Sequence, residues 1–205
     1  MNEHLFRYIY YMIVITMVFT GDIIIDRNSR VSRILRITAY STPWLLVFTQ
    51  LINPDILLII ILFLLTIGSL TISLYSEGYL KILYGKISSL QLIIDMTLVF
   101  IIMFFTSKLL IEFVTLWIIV ELMGALLIML ERGYRSFNTV MKYLVICVTA
   151  GDISLFILLA LPFMKIGFDK TLTLALNDLA YLNISLDPVF TFLILIGFAV
   201  KLAQI

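Results

Sequence analysis

Long apolar stretches, rather than alternating apolar and polar positions, dominate this chain. Residues 37–54 and 56–76 contain no charged side chain, and a transmembrane helix needs about 20 mostly apolar residues. Strands of a membrane barrel are shorter and alternate with period two, so the pattern predicts an all-α polytopic transmembrane bundle. We predict seven spans: 6–21, 34–52, 55–75, 90–107, 109–130, 139–161 and 186–205.

Lysines and arginines are unevenly distributed between the two sides of this predicted bundle. Nine belong to the three odd-numbered loops, and four belong to the other side. The positive-inside rule therefore predicts cytoplasmic odd-numbered loops and an N-terminus outside. No repeat, linker or soluble domain is visible, so we expect residues 1–205 to form a single membrane domain. The nine are Arg27, Arg30, Arg33, Arg36, Lys81, Lys86, Arg132, Arg135 and Lys142.

The composition excludes several classes of function. The chain is 62% hydrophobic and 13% charged, whereas a soluble domain is about half apolar and a quarter charged. A net charge of +1 gives no basic field for nucleic acid. One cysteine and one histidine exclude a disulfide framework and Cys- or His-based metal sites. No phosphate loop, nucleophile elbow or cofactor fingerprint occurs, so we expect no catalytic site and no cofactor in this chain.

Charged side chains inside the predicted spans are the candidate functional residues, because a charge at the bilayer centre costs about 2.5–3.5 kcal/mol. Asp95 and Glu112 lie near the ends of their spans, where a side chain can reach interfacial water. Asp95 is therefore equally consistent with an interfacial or capping carboxylate. Asp152 lies in the middle of the sixth span and could line an ion path or bond a neighbouring helix.

Glu121 and Lys201 lie deeper. Glu121 is near the middle of the fifth span, and Gly124 and Ala125 on the same face leave room for a partner or water. Lys201 follows about 15 residues of the seventh span, which places it roughly 20 Å from the outer surface. A Glu–Lys pair is a proton site whose affinity changes when the two groups separate. The alternative is a neutral structural glutamate and a static buried salt bridge.

Two stretches resemble a known family most specifically, and each carries one of these deep charges. They are Leu116-Trp117-Ile-Ile-Val-Glu121-Leu-Met-Gly124 and Gly197-Phe-Ala-Val-Lys201-Leu-Ala-Gln204. Weaker matches lie at 55–58 with 74–79 and at 142–153. Over about residues 55–205 the chain resembles the N-terminal half of the antiporter-like subunits of respiratory complex I, an NADH:quinone oxidoreductase. The same family includes the large subunits of Mrp-type sodium/proton antiporters and of membrane-bound hydrogenases.

The resemblance implies an inverted-repeat helical bundle in which a glutamate–lysine pair gates proton movement. On that basis Glu121 and Lys201 are the paired residues, and Asp152 is a further candidate for proton translocation. Family members continue well beyond this length, so we expect a fragment or one piece of a split subunit, completed by a second chain. The implied partners are other membrane subunits of such an assembly, in the cell membrane or another energy-transducing membrane.

Two other interpretations remain open. The chain could be a non-transporting membrane scaffold whose charges are locked in static pairs, and a missing continuation of the reading frame would favour that function. A seven-helix receptor fits the number of spans but does not explain charges at mid-depth. The resemblance leaves open whether the ion is a proton or sodium, and which redox module takes part.

Overall fold

The computed structural model describes residues 3–48, 55–130, 134–182 and 187–202. Every regular element within these ranges is a helix, which confirms the predicted all-helical class. Four of the helices, α1, α4, α5 and α6, are long and apolar enough to cross a membrane. The α-helices are α1 Glu3–Ile24, α2 Ser29–Ser41, α3 Pro43–Phe48, α4 Ile56–Tyr84, α5 Ser88–Phe105, α6 Leu110–Met129, α7 Tyr134–Ile146, α8 Ile153–Ile166, α9 Phe168–Leu172 and α10 Pro188–Leu202.

Helix α4 extends well past the predicted end of the third span at residue 75. Its 29 residues correspond to about 43 Å at 1.5 Å per residue. The helix continues because Glu77 and Lys81 are good helix formers and pair one turn apart at 3.0 Å. It ends at Gly85, whose positive φ of 74° suits glycine. The residues predicted as the start of a loop are therefore helical.

Two other predicted spans are interrupted. The second divides into α2 and α3 at Thr42, because Pro43 has no backbone N–H to continue the first helix and instead begins the next. The sixth contains one wide π-helical turn over Cys147–Asp152, between α7 and α8. Between the sixth and seventh predicted spans lie the end of α8, all of α9 and a 3₁₀ segment at Leu176–Leu182.

The helices group into two compact units, Met1–Thr106 and Ser107–Ile205. In the first unit, α1 packs against α2 and α5, and α4 packs against the same two helices. These four helices therefore form a closed ring. Their buried residues follow helical spacing, as in Thr66, Ser69 and Ser73 along α4.

In the second unit, α6 packs against α7, α8 and α9, while α10 packs against α8 and the π-helical turn. The hydroxyl of Ser154 on α8 donates to the carbonyl of Leu193 on α10 at 2.8 Å. A short antiparallel bridge joins Leu109, at the start of α6, to Ala175. The second unit thus contains both α6, which carries Glu121, and α10, which carries Lys201.

Candidate functional site

One charged residue from each of the four ring helices points into the interior of the first unit. We call Asp22, Arg36, Glu77 and Asp95 the charge cluster. Each is at most 1% exposed, and they come from α1, α2, α4 and α5 respectively. Since buried charges are costly unless they are paired and hydrogen-bonded, the partners of each group decide what the cluster can do.

Arg36 is the centre of the charge cluster. Its Nη1 donates to Asp95 Oδ2 at 3.3 Å and to the Ser73 hydroxyl and carbonyl at 2.9 and 3.1 Å. Its Nη2 donates to Glu77 Oε2, and its Nε lies 3.8 Å from Asp22 Oδ1. One guanidinium therefore faces three carboxylates on three other helices.

Glu77 connects the charge cluster to the protein surface. Besides Arg36, it accepts hydrogen bonds from Arg33 Nη2 at 2.9 Å and from Lys81 Nζ at 3.0 Å. Arg33 and Lys81 are 51% and 36% exposed. The hydrogen bonds to Glu77 raise the pKa of Arg33 above its usual value, so this arginine stays charged at any physiological pH. The contacts form a polar route from solvent to the buried interior.

Asp95 is fully paired, which differs from the interfacial position that the sequence left open. Its Oδ1 accepts a hydrogen bond from the Tyr40 hydroxyl at 2.7 Å. Its Oδ2 accepts from Gln91 at 2.9 Å and from Arg36. The carboxylate therefore has a donor from α2 at each oxygen and a third from its own helix.

An apolar layer covers the charge cluster on the side of the connecting turns. Ile25 follows Asp22 by three residues, Leu80 follows Glu77 by three, and Ile87 precedes α5; these three pack together and are buried. Water is consequently excluded at this end, and the polar contacts of Glu77 with its exposed cations remain as the connection to solvent.

Glu121 lies in the interior of the second unit. It is 5% exposed, and its Oε1 accepts a hydrogen bond from Trp117 Nε1 at 3.2 Å. The Trp117 ring meets the ring of Phe198 on α10 edge to face, with centroids 5.5 Å apart. An aromatic contact thus links the helix of Glu121 to the helix of Lys201.

Lys201 lies in α10, three residues after Phe198 and hence on the same helix face. Its side chain lies outside the described part of the structure, and so does its distance from Glu121. The backbone places both predicted residues in the same unit, each about one turn beyond the Trp117–Phe198 contact.

Asp152 ends the π-helical turn, against which α10 packs. Its Oδ1 is buried without a hydrogen bond among the described residues. Such turns are rare and often occur at functional sites. Helix α10 is therefore the element that contacts both the turn carrying Asp152 and, through Phe198, the helix carrying Glu121.

Glu112, the other charged residue of α6, has a structural role at the start of the helix. Its Oε2 accepts hydrogen bonds from the backbone N–H groups of Lys108 and Leu109 at 3.1 and 3.2 Å. These groups begin the helix, so the carboxylate caps its N-terminus.

Sequence reasoning overlooked three members of the charge cluster, because Asp22 and Glu77 lie just outside predicted spans, and Arg36, at the start of the span 34–52, was counted with the preceding loop. A signal was present in the chain nonetheless. Polar residues recur every three or four positions along the otherwise apolar α4, from Thr66 to Glu77. In a membrane helix such a stripe marks the face that turns away from lipid, and it ends at the glutamate.

Comparison with known proteins adds no further assignment: no family model, curated protein or solved structure matches this chain. Among the described residues, no group of three or more His, Cys, Asp and Glu side chains could hold a metal ion.

Proposed function

We propose that this chain is an ion-translocating membrane subunit of a complex I-like, Mrp-like or membrane-bound hydrogenase assembly. Protons or sodium ions would move through Glu121, Lys201 and Asp152 together with residues of partner subunits. The two sequence stretches that resemble this family carry the glutamate and the lysine. The observation that bears most weight is the burial of Glu121 on a helix in aromatic contact with α10.

The register of the two helices supports pairing of Glu121 with Lys201. Glu121 follows Trp117 by four residues and Lys201 follows Phe198 by three, so they are displaced along their helices by roughly 6 and 4.5 Å from the shared aromatic contact. The predicted topology runs the fifth and seventh spans in the same direction. Under that topology the two residues lie at nearly the same depth, where a carboxylate raises the proton affinity of a lysine.

Asp152 extends the proposed site along α10. The π-helical turn leaves one of its carboxylate oxygens buried without a hydrogen bond, and α10 packs on that turn. A proton leaving the Glu121–Lys201 pair would find in Asp152 the next titratable group on an element that contacts α10.

Substitution at Glu121 tests the proposal in the complete assembly. Glu121→Gln retains an oxygen that accepts the Trp117 hydrogen bond but cannot be ionised, so packing is kept while proton exchange is lost. We expect Glu121→Gln and Lys201→Ala to abolish proton pumping, measured with a pH-sensitive dye in sealed vesicles, while membrane insertion is unchanged. Glu112→Gln is the matched control, because it makes the same chemical change on the same helix at a capping position.

A membrane scaffold is the second candidate function. The Trp117–Glu121 hydrogen bond favours this function, because it holds the Glu121 carboxyl group in one position. The same variants separate the two functions. Wild-type pumping by both Glu121→Gln and Lys201→Ala would contradict translocation through this chain and favour the scaffold.

A further inference from the structure

Asp22 is the least satisfied member of the charge cluster. It is fully buried, and neither of its carboxylate oxygens forms a hydrogen bond within the described part of the chain. Arg36 Nε lies 3.8 Å from Asp22 Oδ1 and likewise makes no hydrogen bond there. The other two nitrogens of that guanidinium are bound to Glu77, Asp95 and Ser73. Arg36 is thus held towards α4 and α5, with its free edge towards α1.

Of the three cations that contact the charge cluster in the described residues, only Arg36 is buried and lies within 4 Å of Asp22. Helix α1 packs against α2 and α5; α2 presents Arg36 and the buried hydroxyl of Ser32, and α5 presents Asp95. Glu77 faces the same space from α4 and shares its charge with the exposed Arg33 and Lys81. Within the charge cluster, Arg36 is thus the one buried cation that contacts all three carboxylates. A buried carboxylate without hydrogen bonds is strongly disfavoured, whereas a neutral carboxyl group removes one negative charge.

We propose that Asp22 is a proton-binding site: in the arrangement shown here it holds an exchangeable proton, and Arg36 changes partners when that proton leaves. Binding joins one proton from water to a carboxylate oxygen and forms an O–H bond. Release returns the proton to water and restores the carboxylate. The unbonded Nε of Arg36 then has an anion within 3.8 Å, and closing that distance weakens its contact with Glu77 or Asp95.

The polar contacts of Glu77 connect the charge cluster to solvent. Ile25, Leu80 and Ile87 close the end of the ring, while Glu77 links Arg36 to the exposed Arg33 and Lys81. Asp22 is two residues from the end of α1, about 3 Å along the helix axis. The site lies entirely within Met1–Thr106 and does not depend on the Glu121–Lys201 pair.

Infrared difference spectroscopy tests this site directly. The purified full-length protein in lipid would be compared at acid and alkaline pH, in H₂O and in D₂O. We expect the carbonyl stretch of a buried carboxylic acid, sensitive to D₂O, to disappear in Asp22→Asn and to remain in Asp26→Asn. Asp26 is the matched control because it is exposed, four residues away, and bonded to the backbone N–H groups of Ile87 and Ser88.

A measurement on protein that keeps Asp22 covers the case in which Asp22→Asn fails to fold. It uses an Asp152→Asn background, which removes the other aspartate with a buried oxygen that lacks a hydrogen bond among the described residues. Labelling aspartate side chains with carbon-13 should shift the band, and labelling glutamate should leave it in place. Absence of the band in the wild type, a shift with labelled glutamate, or its persistence in folded Asp22→Asn would each overturn the proposal. Loss of the band in Asp95→Asn but not in Asp22→Asn would also overturn it, because the band would then belong to Asp95. Because no transport is measured, these results are independent of the pumping experiment.

Discussion

The buried carboxylates of this protein differ mainly in how many hydrogen bonds they accept. Glu77 receives donors from Arg33, Arg36 and Lys81, whereas Asp22 receives none within the described residues. Both are fully buried carboxylates, so burial alone does not distinguish a structural charge from an exchangeable one. The hydrogen-bond partners make that distinction, because they stabilise the ionised form of a carboxylate.

This difference predicts a large effect of Glu77→Gln on stability. The variant leaves Arg36 buried beside a neutral amide and removes the negative charge that three cations share. Removing one partner of a buried ion pair costs about 3–5 kcal/mol. We therefore expect a clear fall in the thermal unfolding midpoint of the purified protein. Lys81→Ala removes a partly exposed partner of the same glutamate and should cost at most about 1 kcal/mol. Equal effects of the two variants would contradict the structural role assigned to Glu77.

The points at which helices break or extend depend on individual residues, and the hydropathy of the chain does not predict them. Helix α4 continues through Tyr84 because neither Glu77 nor Lys81 terminates a helix. It ends there because Gly85 adopts a positive φ, which is not a helical conformation. The break before α3 follows from Pro43. The close packing of α6 on α7 depends on Gly124, where an added Cβ would lie 2.9 Å from the Tyr143 hydroxyl.

Gly124→Ala tests that packing. The added methyl forces the Tyr143 side chain to move, and overpacking of this kind typically costs about 1–3 kcal/mol. We expect lower resistance to thermal unfolding, measured for the purified protein in detergent. Gly78→Ala is the control in α4, because nothing lies within 4 Å of its Cβ position and alanine favours a helix by up to about 1 kcal/mol. A greater loss in Gly78→Ala than in Gly124→Ala would show that the α6–α7 contact is misplaced.

The arrangement of the entire chain in the membrane rests on two kinds of information. Within the first unit, the Asp26 carboxylate bonds the backbone of Ile87 and Ser88 at 3.2 and 3.3 Å. The α1–α2 and α4–α5 connections therefore lie on one side. That this side is cytoplasmic, and that seven spans follow an outer N-terminus, are predictions from the charge distribution.

Cysteine labelling measures this arrangement with little background, since Cys147 is the one native cysteine and is buried. In a Cys147→Ala protein, cysteines at Arg27 and Lys86 should be protected from a membrane-impermeant thiol reagent added outside. A cysteine at Lys170, in the predicted outer loop, should react. Opposite behaviour of positions 27 and 86 would contradict the structure of the first unit. Protection at 170 with reaction at both others would reverse the predicted orientation.

Much of the architecture was predictable from the order of residues, because hydropathy and helix periodicity are local properties. Long uncharged stretches such as 56–76 predicted helices, and the depth of Glu121 within its span indicated a buried carboxylate before any packing was known. The exact helix ends were less accessible, since a charged residue next to an apolar run continues a helix as readily as it begins a loop.

Tertiary structure alone brought the charge cluster together. Asp22, Arg36, Glu77 and Asp95 are separated by 14 to 41 residues between successive members, and each lies near the end of an apolar segment, where a solvated position is the simplest expectation. Closure of α1, α2, α4 and α5 into a ring directs all four side chains inward. Their charges interact because the helices exclude water and set the distances between them, and neither condition is a property of any one segment.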